Sequence, residues 1–189
     1  MAANRPKSPD AIDMLIADHR TVQKLYKEFR KLDRSDEEAL IEIVETACAE
    51  LKIHAIIEEE IFYPAVRSKM GDAGDDLLNE AAVEHEVADG LIDRLGETDP
   101  SEPDYAATFA VLCEYVEHHV KEEEKELFPR VRKLHELDLE ELGAQMQARR
   151  DELLADIDFD EEQELEEEED APVRSTESDG DRAHKRAGR

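Results

Sequence analysis

The sequence has no tryptophan, few other aromatic residues, and only seven glycines and seven prolines in 189 residues. All-β folds need many tight turns, which use Gly and Pro, so the shortage of both favours an all-α fold. The two cysteines, Cys48 and Cys113, each lie inside a helical pattern, and we expect small core residues rather than a disulfide framework. No apolar run approaches the roughly 20 residues of a membrane span, and residues 1–10 do not resemble a secretory signal. We therefore expect a cytoplasmic protein that does not bind membranes.

Positive charge is also scarce, because 24 Lys and Arg residues stand against 52 Asp and Glu residues, for a net charge of −28. A chain this acidic repels phosphate backbones, so we expect no direct contact with nucleic acid. Hydrophobic and charged residues each make up 40% of the chain, a mixture typical of amphipathic helices.

Apolar residues recur at helical spacing in five stretches, which predict five helices. The stretches cover roughly residues 10–32, 35–61, 78–95, 105–127 and 139–154. A capping box that begins at Ser35 is expected to start the second helix, and Pro64 lies near its end or kinks it. Gly71 and Gly74 are expected to lie in the loop that follows.

The chain divides by composition into a helical domain, residues 10–157, and an acidic and polar tail, residues 158–189. Ten of the thirteen residues from Asp158 to Asp170 are acidic. Such a segment cannot bury enough apolar surface to offset the entropy of ordering, so the tail is predicted to be disordered. A solubilising role is expected, although the acidic run also offers a surface for a cation or a basic protein partner.

Six polar residues lie on the inward, apolar stripes of these helices. They are His19, His54, Glu58, His85, His119 and Glu123. Burying a carboxylate without a partner costs several kcal/mol, so a packed bundle should not do this repeatedly. A bound metal resolves the conflict, because neutral imidazoles and carboxylates then become satisfied ligands.

The spacing of the six residues repeats along the chain. HAIIEEEIFYP at residues 54–64 matches HVKEEEKELFP at residues 119–129, with His, Glu and Pro at equal offsets. Each His-x-x-x-Glu pair lies on one helix face, and a further histidine precedes the pair by 35 residues in the first half and 34 in the second. Two helical hairpins of this kind predict a two-metal site with near two-fold symmetry.

The ligand types restrict the metal. Imidazole and carboxylate without thiolate suit iron, manganese or zinc and disfavour a structural zinc site. Bridging carboxylates with terminal histidines favour a dinuclear centre whose open positions take oxygen, peroxide or nitric oxide. Ferritin-like bundles use Glu-x-x-His, and no histidine of this chain has Glu three residues before it.

At these residues the chain resembles the hemerythrin-like family, also called the HHE cation-binding domain, over roughly residues 10–155. The resemblance implies an up-down-up-down four-helix bundle, here with a short extra C-terminal helix and a disordered acidic tail. It also implies a non-haem cofactor of two iron ions. The ligands carried over are His19 and His54 for one iron, His85 and His119 for the other, and Glu58 and Glu123 as bridges.

One departure from the family concerns the fifth histidine of oxygen-carrying hemerythrins, which lies one turn from the third. The corresponding positions around His85 are Ala81 and Asp89, and this disfavours reversible oxygen carriage. The pattern is closer to bacterial hemerythrin-like proteins and to an iron-sensing hemerythrin domain of an F-box protein. This likeness implies iron or oxygen sensing, or a role in oxidative or nitrosative stress.

Several residues near the six have weaker claims on the metal. His118 points about 100° away from His119 around the helix and is expected at the surface. Glu59 and Glu124 are expected to be solvated, with Glu59 open as an extra ligand and Asp89 open as a substitute for the missing histidine. Tyr115, one turn before His119, is either a hydrogen-bond donor to that ligand or a core residue.

Three functions remain open from the sequence. The first is a di-iron protein that binds or senses oxygen, peroxide or nitric oxide. The second is a di-iron enzyme that disproportionates peroxide, and the third is a non-catalytic interaction protein that works through its acidic tail. Fold resemblance alone does not choose among them.

Overall fold

The computed structural model of the protein describes residues 9–169, except for the side chains of residues 72–73 and 158–169. Every regular element in that range is helical. The elements are α1 (Ala11–Phe29), α2 (Glu37–Ile57), the π-helical turn π1 (Glu58–Phe62), α3 (Tyr63–Met70), α4 (Asp72–Glu97), α5 (Pro103–Glu122), the π-helical turn π2 (Glu123–Leu127), α6 (Phe128–Val131) and α7 (Leu139–Glu169). None of these helices is long and apolar enough to cross a membrane.

Four long segments form the bundle: α1, α2 with π1 and α3, α4, and α5 with π2 and α6. Helix α1 packs against α2 and α5, and α4 packs against α2, α3 and α5. Short connections join consecutive segments, as in an up-down-up-down four-helix bundle. The predicted fold class is confirmed.

The bundle core consists of two apolar clusters with a polar layer between them. One cluster contains Ile12, Leu15, Ile57, Phe62, Val66, Leu78, Val131 and Met146, and the other contains Val22, Tyr26, Phe29, Leu51, Ile92, Phe109, Leu112 and Cys113. In sequence, His19 lies between Leu15 and Val22, and His54 between Leu51 and Ile57. The helices therefore carry polar side chains at mid-length, where apolar residues continue the stripe on both sides.

Acidic caps start the first two helices. Asp10 and Asp13 form a reciprocal capping box at the start of α1. The cap of α2 is Asp36, so the capping box predicted at Ser35 is wrong. Ser35 instead donates its backbone N–H and its hydroxyl to Asp33, which holds it in the turn before the helix.

The loop predicted between the second and third helices shrinks to a single residue. Gly71, with φ of +55°, separates α3 from α4 in a conformation that favours glycine. Gly74 lies inside α4, so its placement in the loop was wrong. A Cβ atom at Gly74 would lie 2.9 Å from the Cβ of Met70, so close packing accounts for this glycine.

The last helix is longer than the apolar pattern indicates. It continues to Glu169, past the boundary that composition places at residue 158, because Glu and Gln are good helix formers even without apolar neighbours. Residues 170–189 of the predicted tail lie outside the described residues. By its internal contacts the chain divides into Met1–Leu153, which includes the bundle, and Leu154–Arg189.

The first half of α7 closes one end of the bundle. A Cβ atom at Gly143 would lie 2.8 Å from the backbone nitrogen of Ala11, so glycine lets α7 approach the start of α1. Met146, one turn later, is fully buried in the apolar cluster at that end.

Candidate metal centre

The structure brings all six predicted site residues together in the polar layer, and each is at most 5% exposed. Each glutamate faces one histidine from either half of the chain. The Nε2 atoms of His54 and His85 lie 3.1 and 3.4 Å from Glu58 Oε2. Those of His19 and His119 lie 3.3 and 3.5 Å from Glu123 Oε2. Each central carboxylate therefore contacts imidazoles from both halves of the chain.

The two His-x-x-x-Glu pairs form the centre of the group. One nitrogen or oxygen atom from each of His54, Glu58, His119 and Glu123 lies within 4.8 Å of the other three. The imidazoles pair within each hairpin, because the ring centroids of His19 and His54 are 5.0 Å apart and those of His85 and His119 are 4.8 Å apart.

Four further acidic residues, which we call the outer carboxylates, hold the imidazoles from behind. The Nδ1 contacts are His19 to Glu124 at 3.0 Å, His54 to Asp18 at 3.3 Å, His85 to Glu59 at 2.9 Å and His119 to Glu84 at 2.8 Å. An ionised carboxylate only accepts hydrogen bonds, so each Nδ1 carries the proton and donates it. In the neutral form of each imidazole the Nε2 lone pair then faces the centre, as metal-binding histidines require.

The outer carboxylates obey the same two-fold relation as the histidines. Asp18 and Glu84 each precede the first histidine of a half and accept from the second histidine of that half. Glu59 and Glu124 each follow a central glutamate and accept from the first histidine of the other half. The two hairpins are therefore joined by both the central and the outer carboxylates.

The two π-helical turns begin at the central glutamates. Their extra residue makes the backbone N–H of Tyr63 donate to the carbonyl of Glu58, five residues back, and the N–H of Phe128 does the same to Glu123. In an α-helix a side chain five residues on points about 140° away. The wider turn instead brings Tyr63 to the two central glutamates and Phe128 onto the ring of His19.

Tyr63 adds a hydroxyl group to the centre. Its oxygen lies 3.2 Å from Glu58 Oε2 and 3.0 Å from Glu123 Oε1, so both carboxylates share its proton. Burial and the charges of Glu123 and Glu58 raise the pKa of the Tyr63 hydroxyl well above its usual value, so it stays a neutral donor.

Opposite charges compensate each other within the centre. Burial alone would lower the pKa of His54, but the charge of Glu58 and the hydrogen bond to Asp18 outweigh it and raise the pKa to about 10. The pKa of His119 is raised in the same way, because Glu123 and Glu84 outweigh burial. For Glu58, burial opposes ionisation, yet His54 and His85 hold its pKa well below the usual value.

Even so, several buried polar atoms that face the centre lack hydrogen-bond partners. They are His19 Nε2, His54 Nε2, Glu58 Oε1 and Glu123 Oε2. Each unsatisfied buried polar atom costs about 1–3 kcal/mol, and such groups in one place call for an explanation. Nitrogen lone pairs and carboxylate oxygens that converge in this way fit a bound cation.

A cavity of about 30 Å³ adjoins the histidines on the side of the second apolar cluster. All four imidazoles contribute to its wall, and most of the remaining wall is apolar, with Val22, Ile92 and Val116 among its residues. One water needs about 10–15 Å³ by this measure, so the cavity has room for a ligand of two or three atoms.

The hemerythrin HHE cation binding domain matches residues 10–131 of this chain, the range that contains all six site residues. The chain belongs to the hemerythrin HHE cation-binding family. The uncharacterized protein Rv2633c of Mycobacterium tuberculosis is 29% identical over 146 residues, which cover 76% of this HHE chain and 87% of that protein. A solved HHE domain-containing protein of Mycobacterium kansasii, an Rv2633c homolog, is 26% identical with a TM-score of 0.65, over 79% of this chain and 90% of that one.

A DNA nickase of Nostoc sp. is also similar, at 31% identity over 120 residues that cover 64% of this chain. The match takes in 33% of the nickase, so the chain spans about a third of that relative's length. The DNA-nicking activity belongs to the name of that relative and is not assigned to this chain.

Some weaker predictions about this HHE domain can be compared with the structure. His118 is 56% exposed, as expected for the surface. Glu59 and Glu124 are 48% and 37% exposed, as expected for solvated residues, and each also accepts a hydrogen bond from a central histidine. Asp89 and Tyr115 line the cavity beside the histidines.

Sequence reasoning missed Asp18, Glu84 and Tyr63. The first two had a signal, because an acidic residue directly precedes both His19 and His85. Tyr63 had no such signal in the sequence. At α-helical spacing its side chain would point away from Glu58, and it reaches the centre because of the π-helical turn.

Proposed function

We propose that this HHE domain is a non-haem di-iron protein. His19 and His54 would hold one iron, His85 and His119 would hold the other, and Glu58 and Glu123 would supply carboxylates to both. The observation that carries the proposal is the convergence of four Nε2 atoms whose Nδ1 atoms all donate to an outer carboxylate. This pattern orients the four Nε2 atoms toward a common point before any metal arrives.

The number of ligands favours a reactive di-iron centre over a structural zinc site. Six side chains shared between two metals, with two of them bridging, leave coordination positions open. A closed structural zinc site instead fills all four positions with protein ligands, often thiolates. A bound iron pair supplies one-electron redox chemistry and binding positions for small oxygen- or nitrogen-containing ligands.

The ligand we propose is a small molecule such as oxygen, peroxide or nitric oxide, bound or sensed in a response to iron or oxidative stress. The mainly apolar cavity beside the four imidazoles supports this proposal, because it has room for two or three heavy atoms.

An alternative is a di-iron enzyme that disproportionates peroxide, and the Tyr63 hydroxyl favours it. This neutral phenol lies in the centre with a proton that both central carboxylates share, so it can hold or donate a proton where a ligand binds. An interaction function through the acidic tail, with a basic protein as partner, stays a prediction from the sequence.

Iron quantification after iron-supplemented expression, together with the optical spectrum in air, tests the proposal. We expect two irons per chain and near-ultraviolet charge-transfer absorption of a ferric pair. Zinc alone, or one iron per chain, would count against it. Peroxide turnover measured on the loaded protein, with Tyr63→Phe as comparison, separates the binding function from the enzyme.

A further inference from the structure

Helix α5 carries a second His-x-x-x-Glu pair that is offset by one residue from the central pair. His118 Nε2 lies 3.4 Å from Glu122 Oε1, and the two side chains are 56% and 32% exposed. Alone, a pair at this spacing is an ordinary feature of a solvated helix, worth a few tenths of a kcal/mol.

A third possible ligand reaches this pair from a neighbouring helix. Glu84 of α4 places a carboxylate oxygen so that its atom and those of His118 and Glu122 all lie within 4.8 Å of one another. Glu84 is 9% exposed, and its Oε2 also accepts from His119 Nδ1 at 2.8 Å. One carboxylate therefore contacts both the surface pair and an imidazole of the centre.

The distances suit a small divalent cation. Ligands about 2.1 Å from a tetrahedral metal are about 3.4 Å from one another, which is the observed separation of His118 Nε2 and Glu122 Oε1. One imidazole and two carboxylates are ligands that zinc, iron and manganese accept.

A small cavity of about 10 Å³ is lined by residues of both this cluster and the centre. Glu80, Glu84 and Glu122 line it, and so do the more deeply buried His119 and Glu123. Glu123 is 3% exposed, and its Oε2 has no hydrogen-bond partner. Carboxylates of the cluster and of the centre therefore face the same cavity.

The cluster of Glu84, His118 and Glu122 has no counterpart in the first half of the internal repeat. The positions in the first half that correspond to His118 and Glu122 are Ile53 and Ile57, which are 5% and 0% exposed and belong to the core. Only the second half, among the described residues, combines the central pair with an outer one. The cluster is therefore an addition to the two-fold centre rather than part of it.

We propose that Glu84, His118 and Glu122 form a third cation site, which takes a divalent metal from solvent and passes it to the centre through this cavity. The transfer role rests on the proposed di-iron function, whereas the site itself does not. Glu84 links the two sites, because it can hold a cation with one oxygen while the other still orients His119.

Zinc binding and iron loading test the proposal separately, with His118→Ala/Glu122→Gln as the test variant and His135→Ala/Glu136→Gln as the control. The control removes an exposed histidine and an exposed glutamate outside the cluster. First, iron-loaded protein is titrated with zinc. Second, iron is removed with a chelator, ferrous iron is added without air, and loading is timed.

We expect the wild type and the control to bind one equivalent of zinc beyond the iron pair, and the test variant to lose it. We also expect the test variant to load iron more slowly while reaching the same final content. An extra zinc equivalent that persists in the test variant, or is missing from the wild type, overturns the site. Unchanged loading overturns the transfer role. If no form retains iron, the di-iron proposal fails, and the zinc difference still tests the site.

Discussion

Tyr63 and Phe128 occupy equivalent positions in the two halves of the bundle and differ by one hydroxyl group. Tyr63 stacks on His85 with ring centroids 5.6 Å apart, and Phe128 stacks on His19 at 5.8 Å. The hydroxyl of Tyr63 lies 3.0 Å from Glu123 Oε1, where Phe128 offers only a ring edge. The two metals of the proposed centre would therefore have unequal surroundings, with a proton donor on one side.

Replacing Tyr63 with Phe is expected to destabilise the metal-free protein by about 1–3 kcal/mol, because Glu58 and Glu123 lose their shared donor. Tyr26→Phe is the matched control, since the Tyr26 hydroxyl is buried without a hydrogen-bond partner. Its removal should be neutral or slightly stabilising. Urea unfolding of chelator-treated protein measures both free energies, and equal losses in the two variants would refute the role of the Tyr63 hydroxyl.

Glu58→Ala and Glu123→Ala are each expected to abolish stable iron retention, because each removes a ligand to both metals. Once loaded, His118→Ala should keep its iron, with a stability change within about 0.5 kcal/mol. Iron per chain after gel filtration is the measurement. If His118→Ala loses the iron and His119→Ala keeps it, the helical phase is wrong by one residue, and Glu122 replaces Glu123 as the bridge.

The stability of the metal-free protein should fall as the pH rises. The pKa of His54 is raised from 6.5 to about 10, so the folded state holds a proton that the unfolded chain releases. The resulting stabilisation is complete below about pH 6.5 and is lost as the pH approaches 10. Glu58 acts at acidic pH, because its pKa is lowered in the folded state. Its stabilising contribution is present above the usual pKa of a glutamate and is lost as the pH falls below that value toward the lowered pKa.

Free energies of unfolding between pH 6 and 10 test this, with His54→Gln expected to flatten the slope and His135→Gln to leave it unchanged. Iron binding should strengthen over the same range, because the ligand histidines must lose the protons that metal replaces. A metal-free protein that gains stability toward pH 10 would contradict the assigned charges.

Removing residues 158–189 is expected to leave iron content and thermal stability nearly unchanged, because α7 contacts the centre through Arg150, which lies before the removed segment. Arg150 donates to Asp18 Oδ2, the oxygen that also accepts from His54 Nδ1. Arg150→Met in the full chain should lower both iron retention and stability, by about 1.5–3 kcal/mol for a charged hydrogen bond. Arg149→Met is the control, since Arg149 pairs with exposed Glu60. A truncated protein that loses its iron would show that residues 158–189 are structural.

The six central residues could be predicted from the sequence because each one breaks an apolar stripe. A buried polar residue on such a stripe is unusual, and the His54–Glu58 spacing recurs at His119–Glu123. The α-helical period also gives the number and the approximate extent of the bundle helices. These features depend on neighbours within one or two helical turns.

The rest depends on contacts that local patterns do not encode. Tyr63 reaches the centre because the extra residue in the π-helical turn π1 rotates the residues that follow it. A search that assumes 3.6 residues per turn therefore places the Tyr63 side chain on the wrong side of the helix. Glu59 and Glu124 look like surface residues by periodicity, and their role follows from how closely the two hairpins approach. Arg150 reaches Asp18 only because Gly143 allows α7 to lie near the start of α1.

Iron anomalous diffraction from crystals of the full chain, grown after iron-supplemented expression, tests the two-metal centre most directly. We expect two peaks per chain between the Glu58 and Glu123 carboxylates, one within coordination distance of the Nε2 atoms of His19 and His54, the other within coordination distance of those of His85 and His119. A single peak, or peaks that these Nε2 atoms do not contact, would contradict the account.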